Sequence, residues 1–188
     1  MRIVAGEFKG RRIETPKGYD VRPTTEKVKE ALFSMLSNLM EDSTCCDLFS
    51  GTGNLGLEAI SRGAERCIFC DNSGESVRLI RKNIEYCRAT DRAVLIPGGF
   101  EKCLKKMDEE GLKADIFFLD PPYREGLYER CLELIRELEL LKEGGVIVCE
   151  HARNDSFPED LFGFKKFKEK NYGSITLSLY ATKSSCSE

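Results

Sequence analysis

The sequence contains no tryptophan and a single histidine, His151. A reaction that needs several imidazoles, as acid–base groups or as metal ligands, is therefore excluded. No apolar run approaches the roughly 20 residues of a membrane-spanning helix, and the first residues lack the apolar core of a signal peptide. We therefore expect a cytoplasmic protein without a membrane partner. Its 188 residues are enough for one domain with its own hydrophobic core.

An overall excess of positive charge is also missing, because the net charge is −3. The charge is unevenly distributed: residues 1–30 contain eight Lys and Arg against five Asp and Glu, whereas residues 31–188 contain 21 against 27. A second basic group comprises Lys165, Lys166, Lys168 and Lys170. Local basic surfaces on an acidic body are compatible with contacts to nucleic-acid phosphates, although charge alone is explained more simply by a solvated surface.

The nine cysteines do not indicate disulfides or a metal site. Without an export signal we expect reduced thiols. Cys67 and Cys70 form a C-x-x-C, but the apolar residues around them predict a strand, on which residues three apart point to opposite faces. No second cysteine pair or histidine cluster completes four zinc ligands. We therefore expect no metal and interpret these cysteines as small core residues.

The order of the predicted elements indicates an α/β fold. Residues 3–5 and 11–13 predict an N-terminal β-hairpin, and a helix follows Pro23. Apolar strand-like runs then alternate with amphipathic helical segments, which is typical of a parallel sheet with helices on both faces. The five runs are residues 45–49, 67–71, 93–97, 115–120 and 145–150. Residues 162–168 and 174–182 predict a terminal hairpin, so we expect seven strands, of which the last is antiparallel.

Gly51, Gly53 and Gly56 match the pattern G-x-G-x-x-G between the first parallel strand and the helix that follows it. Such glycines permit a tight turn and a close approach of a ligand to the backbone. The carboxyl end of a strand is also where open α/β sheets bind ligands. Asp71 ends the next strand and is suited to accept hydrogen bonds from ribose hydroxyls. The loop therefore predicts an adenosine-containing cofactor without specifying which one.

The charge of Asp47 favours one cofactor. A carboxylate just before the glycine loop would repel the pyrophosphate of a dinucleotide, which binds at a helix N-terminus. S-adenosylmethionine instead presents a sulfonium and an ammonium group, which a carboxylate attracts. Asp47 therefore favours S-adenosylmethionine, and a nicotinamide-dependent oxidoreductase is the alternative from a different class.

The sequence Asp120-Pro121-Pro122-Tyr123 directly follows the fourth parallel strand, at the same edge of the predicted sheet. Two prolines fix φ and remove two N–H donors, so the loop presents oxygen acceptors in a fixed shape. Asp120 and the Pro121 carbonyl could each accept one hydrogen of an amino group, direct its lone pair towards a methyl donor, and stabilise the positive charge that develops on nitrogen. Tyr123 can stack on a base. Alone, the motif could be a turn, but together with the glycine loop it predicts methylation of an exocyclic base amine.

Both motifs resemble those of S-adenosylmethionine-dependent amino-methyltransferases that act on nucleic-acid bases. Three N-terminal sequences, R-I-V-A-G at 2–6, G-R-R at 10–12 and R-P-T-T-E-K-V-K-E-A-L-F at 22–33, further resemble the RsmD family of bacterial 16S rRNA (guanine-N2)-methyltransferases. The resemblance covers nearly the whole chain, including Tyr172-Gly173-Ser174. It implies a Rossmann-like methyltransferase fold with strand order 3-2-1-4-5-7-6. It also implies methyl transfer to the N2 amine of a guanine in 16S rRNA, within the assembling small ribosomal subunit.

The resemblance also implies roles for individual residues. The residues expected to hold the base are Asp120, Pro121, Pro122 and Tyr123. Those expected to bind the cofactor are Asp47, Phe49, Gly51, Gly53, Asn54, Asp71, Asn72 and Phe100. Those expected to contact RNA are Arg2, Lys9, Arg11, Arg12, Arg22 and Thr24. We accordingly divide the chain into an RNA-contacting extension at residues 1–23 and a methyltransferase domain at residues 24–188, and we expect a monomer.

One departure from the family pattern concerns the adenine site. After the third parallel strand such enzymes often carry an acidic residue, whereas this sequence has Pro97-Gly98-Gly99-Phe100-Glu101. The carboxylate is therefore either absent, with backbone atoms near Phe100 in its place, or shifted to Glu101.

Two further functions are compatible with the same motifs. An enzyme that methylates adenine in DNA would use the same chemistry, although 188 residues leave little room for a separate target-recognition region. A non-catalytic RNA-binding module could also keep this fold, and it would bind RNA without binding the cofactor.

Overall fold

Strands and amphipathic helices alternate along the chain as the periodicity predicts. The computed structural model describes residues 1–16, 23–121, 126–155 and 157–182, and the side chains of residues 23–25 lie outside this description. The helices are α1 (Pro23–Met35), α2 (Ser37–Met40), α3 (Asn54–Ser61), α4 (Gly74–Cys87), α5 (Phe100–Glu109) and α6 (Leu127–Glu137). The strands are β1 (Thr44–Asp47), β2 (Arg66–Asp71), β3 (Ala93–Pro97), β4 (Ala114–Leu119), β5 (Leu141–Ala152), β6 (Asp160–Leu161), β7 (Phe164–Tyr172) and β8 (Ile175–Thr182). Among the described residues, no helix combines the length and the apolar character needed to cross a bilayer.

The strands form a single sheet with the order β3-β2-β1-β4-β5-β8-β7-β6. The first five are parallel to one another, and β8 is antiparallel to both β5 and β7. The α/β methyltransferase-like topology is therefore confirmed, but the predicted count of seven strands was wrong. The additional strand β6 has two residues, too few to show the alternation of apolar and polar residues by which a strand is recognised in a sequence.

Two apolar layers cover the faces of this sheet. The first layer packs α1, α3, α4 and the N-terminal segment against one face, and the second packs α5 and α6 against the other. Because side chains alternate along a strand, Cys67 lies in the first layer and Cys70 in the second. The prediction that this cysteine pair points to opposite faces is confirmed.

The predicted N-terminal hairpin is present but short. Arg2 and Arg12 form one antiparallel bridge, and the N–H groups of Ile3 and Ile13 donate to the carbonyls of Arg11 and Met1 at 2.9 and 3.1 Å. The expected first strand does not continue because its N–H groups bond elsewhere: those of Val4 and Ala5 donate to the Glu58 carboxylate at 2.8 and 3.0 Å. The segment folds as a loop against α3, and its apolar side chains enter the first layer. These side chains are Ile3, Phe8 and Ile13.

Candidate active site

The loop between β1 and α3 is a tight turn that three glycines make possible. Gly51 and Gly53 have positive φ angles of 56° and 80°, which residues with a Cβ rarely adopt. The Gly53 N–H donates to the Ser50 carbonyl at 2.7 Å. At Gly56 an added Cβ would lie 2.3 Å from the Phe69 ring, so this glycine lets α3 pack closely against β2.

Asp47, the last residue of β1, lies buried beneath this turn. One of its carboxylate oxygens accepts the N–H of Gly56 at 3.2 Å. Burial, reinforced by the charges of Asp120 and Asp71 and opposed by the Gly56 hydrogen bond, raises the pKa of Asp47 to about 7. A positively charged ligand would stabilise the ionised form of this carboxylate.

Asp71 ends β2 beside the same turn. Its Oδ2 atom accepts the Gly51 N–H at 2.8 Å, and its Oδ1 atom accepts the Ser73 N–H at 2.9 Å. These bonds orient the carboxylate and leave lone pairs on both oxygens, which can accept ribose hydroxyls as the sequence predicts. The neighbouring Asn72 is exposed.

The register of the strands places four carboxylates on one face of the sheet at its carboxyl edge. Asp47 is level with Phe69 on β2 and with Phe118 on β4, and Asp71 and Asp120 follow two residues later. Leu119 is level with Cys149, so Asp120 is level with Glu150 on β5. We call Asp47, Asp71, Asp120 and Glu150 the crevice carboxylates. Among the described residues none of them forms an ion pair, so the crevice carries uncompensated negative charge.

Asp120 follows β4 directly and is exposed to solvent. Protein atoms nevertheless surround it at the edge of the sheet and raise its pKa above the ordinary value. Pro121 is buried, whereas Pro122 and Tyr123 lie outside the described residues.

The side of the crevice nearest β3 is lined by aromatic rings. Phe49 and Phe100 contact each other with ring centroids 6.0 Å apart. Glu101, the candidate for a shifted adenine-binding carboxylate, pairs with Arg130 at 2.8 Å and is thus already neutralised. The Gly98 N–H donates to the Asp71 carbonyl at 3.0 Å, which holds the Gly98–Gly99 backbone beside Asp71. This arrangement favours backbone atoms, rather than Glu101, as the adenine contact.

The described residues around the site were compared with the ligand groups that metal ions require. Within the described ranges, no three His, Cys, Asp or Glu side chains are grouped so that they could hold a metal ion. The eight cysteines in those ranges are buried and form no disulfide bond. Burial raises the pKa of Cys45 to about 12 and that of Cys46 to about 11. These thiols are therefore protonated and packed in the core.

Comparison with known proteins agrees with this geometry. The sequence model of a family described as "Conserved hypothetical protein 95" matches residues 1–181. The chain belongs to this family. Its resemblance to the RsmD family is confirmed by two relatives that it matches over 96% of its length. One is "Putative rRNA methyltransferase YlbH" of Bacillus subtilis, with 35% identity and 98% of that protein covered. The other is "Ribosomal RNA small subunit methyltransferase D" of Escherichia coli K12, with 29% identity and 89% covered.

Solved structures give the same fold for this RsmD-family chain. It superimposes on "Putative methyltransferase yhhF from Escherichia coli" with a TM-score of 0.83 and 30% identity, over 96% of both chains. It also resembles SMU.776, "a putative methyltransferase complexed with SAH", with a TM-score of 0.63, 20% identity, and coverage of 86% of this chain and 50% of that one. At 20% identity the second likeness shows the fold alone.

A buried charge network of the RsmD-family chain was missed by the sequence analysis. Glu58 of α3 is fully buried and pairs with Lys29 at 2.9 Å and Arg62 at 2.8 Å. Lys29 also donates to the Arg2 carbonyl at 2.6 Å and to the Asn54 side-chain oxygen at 2.8 Å. Asn54, predicted to bind the cofactor, thus uses that oxygen to hold α1 on α3. The available signal was one glutamate inside the apolar run Leu57-Glu58-Ala59-Ile60.

Asn83 of α4 is a second missed residue. Its side-chain N–H groups donate to the carbonyls of Thr52, in the glycine turn, and Glu14 at 2.9 and 3.0 Å. Its oxygen accepts the Glu14 N–H at 2.7 Å. Asn83 therefore connects the N-terminal segment to the glycine turn. Its signal in the sequence was an amide on the apolar face of α4, next to Ile84.

The predicted RNA-contacting residues differ in their availability. Arg11 is used internally: it donates to the Cys87 carbonyl at 2.7 Å and lies 5.0 Å from the centroid of the Phe8 ring. Arg2 pairs with Glu26 at 3.0 Å but stays half exposed. Lys9 and Arg12 are exposed. Arg22 and the side chain of Thr24 lie outside the described residues.

A β-bulge in β7 determines which face of the sheet each C-terminal lysine lies on. Lys166 is paired with Glu159 at 2.9 Å and with Glu169 at 2.7 Å. The register shifts between Lys166 and Lys168. In a regular strand Lys165 and Lys168 would point to opposite faces of the sheet, but the bulge between them brings both to the same face. Three lysines therefore lie on the face of the crevice carboxylates, and the described residues offer none of them a side-chain partner. These are Lys165, Lys168 and Lys170.

Proposed function

We propose that this chain transfers a methyl group from S-adenosylmethionine to the exocyclic N2 amine of a guanine in 16S rRNA. The observation that carries the proposal is the meeting of two motifs in one crevice. The glycine turn with Asp47 and the Asp120-Pro121 pair follow neighbouring strands, β1 and β4, at the same edge and face of the sheet. A cofactor and a base held by these two motifs would lie side by side.

The residues of the crevice fit S-adenosylmethionine better than a dinucleotide. Asp47 and Asp71, for which the described residues offer no ion-pair partner, would repel a pyrophosphate and attract sulfonium and ammonium groups. Asp71 and the Gly98–Gly99 backbone suit the ribose and the adenine, and Phe49 with Phe100 suits an apolar ring. When bound, this cofactor supplies an electrophilic methyl group.

The task of the protein is to position and polarise the amine. Asp120 and the Pro121 carbonyl accept the two amine hydrogens, which directs the nitrogen lone pair away from them and towards the methyl group. The same two oxygens stabilise the positive charge that develops on nitrogen. Alignment of the reactants supplies most of the rate enhancement, for which roughly 7–11 kcal/mol is available. Ionised Asp120 accepts these hydrogens more strongly than the protonated acid does, and it can take the proton that the methylated amine releases. Turnover should therefore rise with pH through its elevated pKa.

The RNA would approach along the basic residues of the chain. The exposed Lys9 and Arg12, together with Arg2 and Arg22, support the assignment of residues 1–23 as an RNA-contacting extension of the domain at residues 24–188. We propose that the protein acts as a monomer on assembling small subunits in the cytoplasm.

The deciding experiment is to incubate the protein with labelled S-adenosylmethionine and small ribosomal subunits from a strain that lacks this gene. Mass spectrometry of the digested rRNA should identify one N2-methylguanosine. An equal amount of duplex DNA in a parallel reaction tests adenine methylation, and a titration with NADH tests a dinucleotide site. Label in the DNA only, or tight NADH binding without methyl transfer, would replace the proposed function.

Asp120→Ala provides the internal control. It should lower methyl transfer by about 10²–10³-fold, the loss typical for one group that stabilises a transition state, while the fold and the affinity for the cofactor remain. Full turnover of this variant would contradict the role of Asp120. RNA binding by the unaltered protein without any cofactor binding would instead identify a non-catalytic module.

A further inference from the structure

Glu150 is a titratable residue in the crevice to which the proposed mechanism gives no task. It lies near the carboxyl end of β5, one residue beyond Cys149, and is half-buried. Its side chain shares a face with Val146 and Val148 of the first layer, which is also the face of Asp120. Adjacent strands are about 4.8 Å apart, so the carboxyl groups of Asp120 and Glu150 are direct neighbours across the sheet.

The backbone at Glu150 is held on several sides. Tyr128 of α6 donates its hydroxyl hydrogen to the Glu150 carbonyl. His151, on the opposite face, bonds to Ser178 at 2.9 Å and stacks on Phe157 with centroids 3.9 Å apart. These contacts, together with the pairing of Glu150 with Leu177 on β8, fix the direction in which the Glu150 side chain leaves the strand.

The carboxylate itself has no such partner. No cation or N–H group in the described residues bonds to it, and burial together with the nearby charge of Asp120 raises its pKa to about 8. A half-buried carboxylate beside another carboxylate destabilises the fold unless a donor reaches it. A ligand that brings hydrogen-bond donors would remove this cost.

The base of the proposed reaction brings such a donor at the required place. Guanine carries an N1–H next to its N2 amine, so an oxygen acceptor beside the group that holds N2 meets a second donor. Adenine and 2-aminopurine have a lone pair at N1 instead, which ionised Glu150 repels, so the selection grows as the pH rises through the Glu150 pKa of about 8. We propose that Glu150 accepts the N1–H of the target guanine and thereby selects guanine. This inference rests on the proposed function, which it deepens by naming the residue that reads the base.

The test compares guanine with 2-aminopurine, which keeps the N2 amine but lacks the N1–H. Once the methylated nucleotide is mapped, small subunits are reconstituted with 16S rRNA that carries either base at that position. The kcat/KM ratio of the two substrates is then measured at about pH 8.5, where Glu150 is mostly ionised, for the unaltered protein, Glu150→Ala and Glu150→Gln. Glu143→Ala is the matched control, because Glu143 is an exposed glutamate at the other end of β5.

We expect the unaltered protein and Glu143→Ala to prefer guanine by about 10–100-fold, as one well-placed base contact provides. Glu150→Ala should reduce this preference to about threefold or less, since the acceptor and the repulsion are both lost. Glu150→Gln should regain part of the guanine rate through its amide oxygen and accept 2-aminopurine better through its N–H group. Affinity for S-adenosylmethionine should stay unchanged in all variants.

The outcomes separate the inference from the function on which it rests. Absence of guanine methylation by the unaltered protein would refute the proposed function. Guanine methylation with an unchanged base preference in folded Glu150→Ala and Glu150→Gln would refute the role of Glu150 alone. A loss of cofactor affinity in both variants, with the preference intact, would assign Glu150 to the cofactor and also overturn the inference.

Discussion

Buried charge is treated in opposite ways in two regions of this protein. At the junction of the N-terminal segment with α1 and α3, Glu58 is neutralised by Lys29 and Arg62 and accepts two backbone N–H groups. In the crevice, Asp47 is equally well buried, but among the described residues it accepts only the N–H of Gly56. The junction is complete within the chain, whereas no described residue forms an ion pair with a crevice carboxylate.

The difference shows which charges are structural and which are available to ligands. A carboxylate with every lone pair used stabilises the native state only through its partners, and removing it leaves them unpaired. A carboxylate without a cation costs stability, and this cost falls when a cationic ligand arrives. The same distinction applies to the cations: Arg11 is bound within the protein, whereas the described residues offer no side-chain partner to Lys165, Lys168 and Lys170.

The largest effect is expected at the junction. Glu58→Gln leaves Lys29 and Arg62 buried without a counter-charge, which should lower the free energy of unfolding by about 3–5 kcal/mol. The exposed pair of Glu14 and Lys82 provides the control, because Glu14→Gln should cost about 1 kcal/mol or less. Urea denaturation of both variants measures the difference, and equal losses would show that burial does not set the strength of these pairs.

In the crevice, removing a buried carboxylate is expected to raise the free energy of unfolding instead of lowering it. The folded-state pKa of Asp47 is about 7, against an ordinary value of 3.8, so ionisation of Asp47 opposes folding as the pH rises from about 4 to 7. Asp47→Asn removes this penalty and should be more stable than the unaltered protein by roughly 2–4 kcal/mol above pH 7, with no difference near pH 4. The variant should nevertheless bind S-adenosylmethionine more weakly. Denaturation at several pH values and calorimetric titration test both effects, and a variant that is destabilised at pH 8 would refute the account.

A smaller effect on stability tests how closely the N-terminal segment packs against α3. Gly6 and Gly10 have similar φ angles of 80° and 85°, so an alanine is equally strained at either. At Gly6 the added Cβ would lie 1.7 Å from the Ser61 carbonyl oxygen, whereas nothing lies within 4 Å at Gly10. Gly6→Ala should therefore be less stable than Gly10→Ala by about 1–3 kcal/mol. Equal melting temperatures would show that the segment is loosely attached.

The smallest effect concerns the unpaired cations. Lys168→Ala combined with Lys170→Ala should weaken binding to small ribosomal subunits and reduce the slope of log affinity against log salt by about 1 per lysine. Lys105→Ala, which removes an exposed lysine of α5 in the other layer, should change neither quantity. An unchanged slope in the double variant would place the RNA elsewhere.

Much of the fold could be predicted because its signals are local. Apolar runs such as residues 67–71 and 93–97 have the length of buried strands, and Gly51, Gly53 and Gly56 occupy positions where the turn and the helix packing require them. The N-terminal hairpin is shorter than predicted for a non-local reason. Alternation at residues 3–5 indicates a strand, but the N–H groups there donate to Glu58, more than fifty residues later.

The candidate site was predictable to the same extent. Asp47, Asp71 and Asp120 follow strands directly, so the sequence places them at one edge. Glu150 also ends a predicted strand, but no motif surrounds it, and its neighbour Asp120 becomes apparent only from the register of β4 and β5. Lys29 and Asn83 act through partners that are distant in sequence, which periodicity does not reveal.

The docking of the first residues onto α3 has a consequence during synthesis. Phe8 and Ala5 bond to Ser61 across 53 and 56 positions, so the N-terminus leaves the ribosome long before its binding partner exists. Residues 1–16 therefore gain this contact only after the third helix has emerged. Only then does the Met1 sulfur come to lie 3.8 Å from the Thr52 hydroxyl, so this side of the glycine turn takes its final shape after a large part of translation is complete.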